Sequence, residues 1–228
     1  MSENVQSQNE VKEKPIKRYT LGEEIFSSVT HGAGGLLSIA GLVVLVVMSA
    51  IYSDAMSVVS SAIFGSSLII LYTMSTLYHA ITNVKAKAFF RIMDHDTIFF
   101  LIAGTYTPYT LAIMRGAEGW VMFGIIWAAA IVGIVLNSIN LEKFRKPSVV
   151  CYILMGWVIF FAYNPMREAM PSISMWFLFI GGAFYMVGVV FYVIKKVRYF
   201  HSIWHLFTIG GSVFHYFSIL IAIMNLKN

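Results

Sequence analysis

The chain alternates long apolar runs with short polar ones, and the apolar runs have membrane length. Seven of them occupy approximately residues 34–52, 57–78, 97–114, 119–138, 147–163, 174–194 and 203–225, each near the roughly 17–25 residues an α-helix needs to cross a bilayer. None contains Asp, Glu, Lys or Arg. No run has the period-2 alternation of a half-buried strand. The pattern predicts an all-α fold, an integral membrane bundle of seven transmembrane helices over residues 31–228. Pro108 falls inside the third run and predicts a kink, which membrane helices tolerate. Glycine patches at 32–35, 181–182 and 210–211 suit close helix packing. Residues 1–30 form a polar segment: a mixed-charge tail to about residue 20, then a short interfacial helix over 21–31 with Ile25 and Phe26 on its apolar side. That segment lacks the apolar core of a signal peptide.

Composition strengthens this reading. The 228 residues are 58% hydrophobic and 12% charged, against about 45–50% and 25% in ordinary soluble domains. The net charge of +5 does not point to nucleic acid, because the basic residues sit in short loops rather than on one continuous face. Their placement sets orientation instead. Thirteen of the sixteen Lys and Arg residues fall before the first run or in the loops 79–96, 139–146 and 195–202, while only Arg115, Arg167 and Lys227 fall on the other side. The positive-inside rule then makes the N-terminus cytoplasmic and the C-terminus external. Cys151 is the single cysteine, which excludes an intrachain disulfide and any multi-cysteine metal site.

The last run carries the chemistry. His201, His205, Thr208, Ser212 and His215 share one face of an otherwise apolar helix. Such a stripe in hydrocarbon must face protein, water or a metal. The topology puts His79 at the cytoplasmic end of the second run, Asp94 at the cytoplasmic start of the third, and His201 and His205 at the cytoplasmic start of the seventh. Three imidazoles and a carboxylate, distant in sequence, thus reach one membrane depth. His201 and His205, spaced i and i+4, present two imidazoles to one ion, and His79 adds a third. Three protein ligands leave a position open, as in catalytic rather than structural zinc sites. Asp94 is placed to act on a water at that open position. Ser75, one turn before His79 on the same face, is placed to orient that imidazole or to contact substrate. His215 lies about 15 Å deeper than His205, too far to share the ion, and is read as hydrogen-bonded inside the bundle. His31 is read as a helix-start or packing residue and Asp96 as a solvated helix-start acid. Trp120, Trp176 and Trp204 near run ends form an ordinary interfacial belt.

These residues resemble the hemolysin III family, the bacterial branch of the superfamily that contains the progestin and adiponectin receptors. The resemblance covers roughly residues 20–225. It rests on Glu23-Glu24-Ile25 with Thr30-His31-Gly32, Ser75-Thr76-Leu77-Tyr78-His79, Arg91-Ile92-Met93-Asp94-His95, Gly104-Thr105-Tyr106-Thr107-Pro108, and His201-Ser202-Ile203-Trp204-His205 with His215 ten residues on. It implies a multi-pass bacterial plasma-membrane protein in which His79, His201 and His205 bind zinc and Asp94 reaches it through water. Ser27 stands where many relatives carry Asn. Three functions follow as expectations. One is zinc-dependent hydrolysis of a membrane-lipid amide or ester, by analogy with intramembrane ceramidases. Another is a pore-forming cytolysin, as the family name suggests. The third is a non-catalytic sensor or receptor with structural zinc. A pore expects a continuous polar lining, which the confinement of charge to loops does not favour.

Overall fold

The computed structural model describes residues 19–226, so the polar tail expected over residues 1–20 lies almost wholly outside the described residues. The described chain is all-α. Helix α1 runs Leu21–Tyr52, α2 Ala55–Ala80 and α3 Val84–Thr107. A π-helical segment over Pro108–Met114 follows, then α4 over Gly116–Trp157, a 3₁₀ turn over Val158–Ala162 and the short α5 over Tyr163–Ala169. The chain closes with α6, Ser172–Val193, and α7, Phe200–Met224.

Helix starts follow local chemistry. Thr20 and Glu23 form a capping box on α1, the Thr20 hydroxyl accepting the Glu23 N–H while the Thr20 N–H donates to the Glu23 carboxylate at 2.8 Å. Asp54 caps α2 by accepting the Ser57 N–H at 3.0 Å, and Asn83 caps α3 by accepting the Ala86 N–H at 3.1 Å. The Ser57 N–H, aided by the Arg115 guanidinium 2.9 Å away, holds the Asp54 carboxyl below the usual carboxylate range. Losing an N-cap of this kind costs about 0.5–2 kcal/mol. Asp54→Ala is therefore expected to lower the midpoint of thermal unfolding in detergent, and an unchanged midpoint would deny the cap any weight.

Six helical stretches are long and apolar enough to cross a membrane: Leu21–Tyr52, Ala55–Ala80, Val84–Met114, Gly116–Ala169, Ser172–Val193 and Phe200–Met224. Four differences from the sequence reading matter. The interfacial segment and the first apolar run form one unbroken helix, α1. The region expected as a loop before residue 97 is helical from Val84, because its Lys and Arg residues ride on helical turns. The 139–146 loop is likewise helical, so the fourth and fifth apolar runs share α4, interrupted at Asn140, where φ is −158° and ψ is 88°. Pro108 opens the π-helical segment instead of a simple kink.

Packing places α1 against α2 and α7, α2 against α3, α3 against α4, and α6 against α7. The main core gathers Leu45, Phe64, Leu68, Tyr72, Tyr109, Ile219 and Ile223. Large apolar side chains such as Leu36, Leu37, Val121, Ile131 and Trp176 remain exposed. So much exposed apolar surface would be an aggregation hazard in water and is the ordinary lipid-facing surface of a membrane protein. Small residues permit the closest approaches. A Cβ on Gly211 would come within 2.6 Å of the Tyr185 ring, which lets α6 and α7 pack tightly near the polar stripe.

Candidate metal centre

Two helices bring the triad together. His79 lies in the last turn of α2, and His201 and His205 occupy the first turns of α7. One ligand atom from each of the three imidazoles falls within 4.8 Å of the others, so the group could hold a metal ion. His79 Nε2 is 3.3 Å from His201 Nε2, and His205 Nε2 is 3.2 Å from His201 Nε2. His79 and His205 are 3% and 1% exposed.

Hydrogen bonds behind the rings assign the tautomers. His79 Nδ1 lies 2.7 Å from the Glu24 carboxylate, and the Lys87 ammonium, 3.0 Å from the same carboxylate, keeps it ionised and acceptor-only. His79 therefore donates from Nδ1 and carries a bare lone pair on Nε2. His205 Nδ1 lies 3.3 Å from the Ser27 carbonyl, also acceptor-only, so its Nε2 is bare as well. Two lone pairs thus converge on His201 Nε2, which has at most one proton to offer. Leaving a buried acceptor unmet costs about 1–3 kcal/mol. A cation shared by the three nitrogens removes that cost, and hydrogen-bonded outer nitrogens are the usual support of metal-bound histidines.

The start of α1 builds the back wall. Glu23, Glu24, Ser27 and His31 recur at helical spacing toward α2 and α7. Glu23 also accepts the Tyr199 N–H at 2.9 Å, and Ser27 and Ser202 hydroxyls meet at 3.0 Å, joining α1 to the start of α7. His31 stacks on His205 with ring centroids 3.6 Å apart, a packing contact as the sequence reading expected. Tyr19 stacks on His201 at 4.7 Å. Burial raises the Tyr19 phenol above its ordinary range, so it remains a protonated donor. A cavity of about 50 Å³ opens beside His201, lined by Tyr19, Tyr78 and Tyr192 among others, with room for a few water molecules.

Asp94 and Ser75 sit apart from the ligand group. Asp94 is on α3 with Oδ2 3.8 Å from His95 Nδ1, and His95 lines the cavity beside His201. The Ser75 hydroxyl is buried without a hydrogen-bond partner among the described residues, and Glu24, rather than Ser75, bonds His79. His215 donates from Nε2 to the Leu178 carbonyl at 3.1 Å, inside the bundle as expected. Asp96 differs from the solvated acid expected: it is 5% exposed and accepts the Ser138 hydroxyl at 2.8 Å, because α3 begins twelve residues before it. Glu24 is the functional candidate that sequence reasoning passed over. Its signal was available, since it sits at the start of α1, in the capping segment whose level the sequence reading matches to that of the histidines.

Comparison with other proteins identifies the family. A family model described as "Haemolysin-III related" matches residues 19–216. The chain is 41% identical over 202 residues to "Hemolysin-3" of Bacillus cereus, covering 89% of this chain and 92% of that protein. It is 42% identical over 202 residues to the "Hemolysin-3 homolog" of Bacillus subtilis (strain 168), covering 89% and 95%. At 26% identity over 206 residues, covering 88% and 84%, it also resembles the human "Monocyte to macrophage differentiation factor". With its apolar helices, this makes it a multi-pass membrane protein, and the chain belongs to the haemolysin-III related family.

Proposed function

We propose that the protein is a zinc-dependent hydrolase of a membrane-lipid amide or ester, working at the cytoplasmic leaflet in membrane lipid homeostasis. One observation carries the reading: the Nε2 atoms of His79 and His205 each lie within 3.3 Å of His201 Nε2 while their outer nitrogens face acceptor oxygens. His79, His201 and His205 are the ligands, and three protein ligands leave a position open for water or substrate. Bound zinc would polarise a carbonyl and lower the pKa of its water to about 7. Asp94 takes the proton from the attacking water; its carboxylate lies 3.8 Å from His95, which lines the cavity beside His201. The Ser75 hydroxyl, one turn from His79 and without a partner, is a donor for the substrate carbonyl. The apolar bundle around the site suits an acyl chain.

The orientation this needs has its own support. The 42 residues of α4 are two helices joined at Asn140, where the backbone is non-helical; together they supply about 63 Å of helix, twice the roughly 30 Å hydrocarbon core. We read the break at Asn140 as the point where the chain turns back, so that α4 crosses twice and the bundle has seven crossings. Lys143, Arg145 and Lys146 follow that break, which supports a cytoplasmic turn and a cytoplasmic N-terminus. Reporter fusions test this: positions 81, 143 and 197 should read cytoplasmic and position 228 external. A cytoplasmic reading at 228 would end the seven-crossing count.

The names of the Bacillus relatives favour a second reading, membrane lysis. One experiment separates the two. Lipid profiles of cells with the protein, without it, and with Asp94→Asn should differ in one lipid amide or ester class and its free fatty acid, with the variant matching the deletion. Unchanged lipids alongside dye leakage from vesicles would favour the pore.

A further inference from the structure

The carboxylate behind His79 has a complete hydrogen-bond inventory. Glu24 Oε2 accepts His79 Nδ1–H at 2.7 Å, and Glu24 Oε1 pairs with Lys87 Nζ at 3.0 Å. Lys87 Nζ also donates to the Tyr78 carbonyl at 2.8 Å and the Ile81 carbonyl at 3.3 Å. An ammonium has three protons, and all three have acceptors. The two carbonyls belong to the open C-terminal turn of α2, where a cation is favoured. Lys87, one turn into α3, therefore ties the end of the His79 helix to Glu24 on α1. The contrast with His205 is informative. Its outer nitrogen rests on a backbone carbonyl, which no side-chain substitution removes. The acceptor behind His79 is an anionic side chain whose orientation depends on a neighbour.

We infer that Glu24, oriented by Lys87, is the positioning residue of the metal centre, selecting the His79 tautomer in which Nε2 is the ligand atom. This rests on reading His79, His201 and His205 as a metal site. Its mechanism predicts an unusual pattern of substitutions. In Glu24→Gln one carboxylate oxygen becomes an amide NH₂ group. Lys87 can only donate, so the amide turns its oxygen to Lys87 and its NH₂ to His79 Nδ1. His79 then accepts at Nδ1, its proton moves to Nε2, and the lone pair that faces the triad is lost. Replacing Lys87 as well, by methionine, frees the amide oxygen to accept from His79 Nδ1–H and returns the lone pair.

The test titrates purified full-length protein with Zn²⁺ against a chromophoric chelator, and records the visible spectrum with Co²⁺. The wild type should bind one ion per triad. Glu24→Gln should bind about 10–100-fold more weakly, the usual effect of losing such an outer partner, with an altered cobalt spectrum. Glu24→Gln/Lys87→Met should bind more tightly than Glu24→Gln alone and regain the wild-type cobalt spectrum. A purely structural role cannot produce that rescue, because the second substitution removes a helix-end contact and only adds damage. Wild-type affinity and spectrum in Glu24→Gln, or a double variant no tighter than the single, would overturn the inference while leaving the triad intact. A wild type that binds neither ion would overturn the metal reading itself.

Discussion

His201→Ala or His205→Ala is expected to abolish metal binding, whereas His215→Ala is expected to leave it in place. The separation is geometric. His201 and His205 contribute two of three nitrogens that meet within 4.8 Å, and a site cut to two ligands has lost the closed set on which zinc affinity depends. His215 spends its Nε2–H on the Leu178 carbonyl in the packed α6–α7 seam. Metal analysis of the purified variants checks this. Wild type and His215→Ala should carry about one zinc per chain, as one three-histidine set implies, and the two triad variants essentially none. Zinc retained in a His201/His205 double variant would remove the triad from consideration.

Asp94→Asn is expected to fold and hold zinc yet lose the proposed turnover. The reason lies in its position: it sits beside His95 of the cavity wall and outside the ligand group. Asparagine keeps the shape and cannot take a proton. Removing a general base typically costs about 10²–10⁴-fold in rate, so the variant should fail to complement a deletion while its zinc content stays at the wild-type level. Full complementation would leave zinc as a structural staple and favour the sensor reading. Loss of zinc would make Asp94 a direct ligand and close the open position.

Much of this centre could be read from the chain because two periodicities coincide. Helical spacing aligns His201 with His205, and the distribution of Lys and Arg brings His79 to the same depth, so the triad needed no contact information. Glu24 was harder because its partner is 55 residues away and a single acid near a helix start normally signals capping. Glu23 beside it does cap, in part. The misjudged boundaries share one cause. Hydropathy reports where hydrocarbon ends, not where a helix ends. Val84 to Asp96 and the turns around Lys143 are helical and polar, so they looked like loops. Asp96 was misjudged with them, since its partner Ser138 comes from α4, a contact no local pattern encodes.

Fatty-acid release by the purified protein tests the account most directly. The zinc-loaded chain in lipid nanodiscs would be offered a panel of membrane-lipid amides and esters. The account predicts that at least one is cleaved, that stripping zinc with a chelator stops release, and that adding zinc restores it. A protein that carries zinc on its three histidines yet releases fatty acid from none of the panel, with or without Asp94, would contradict it.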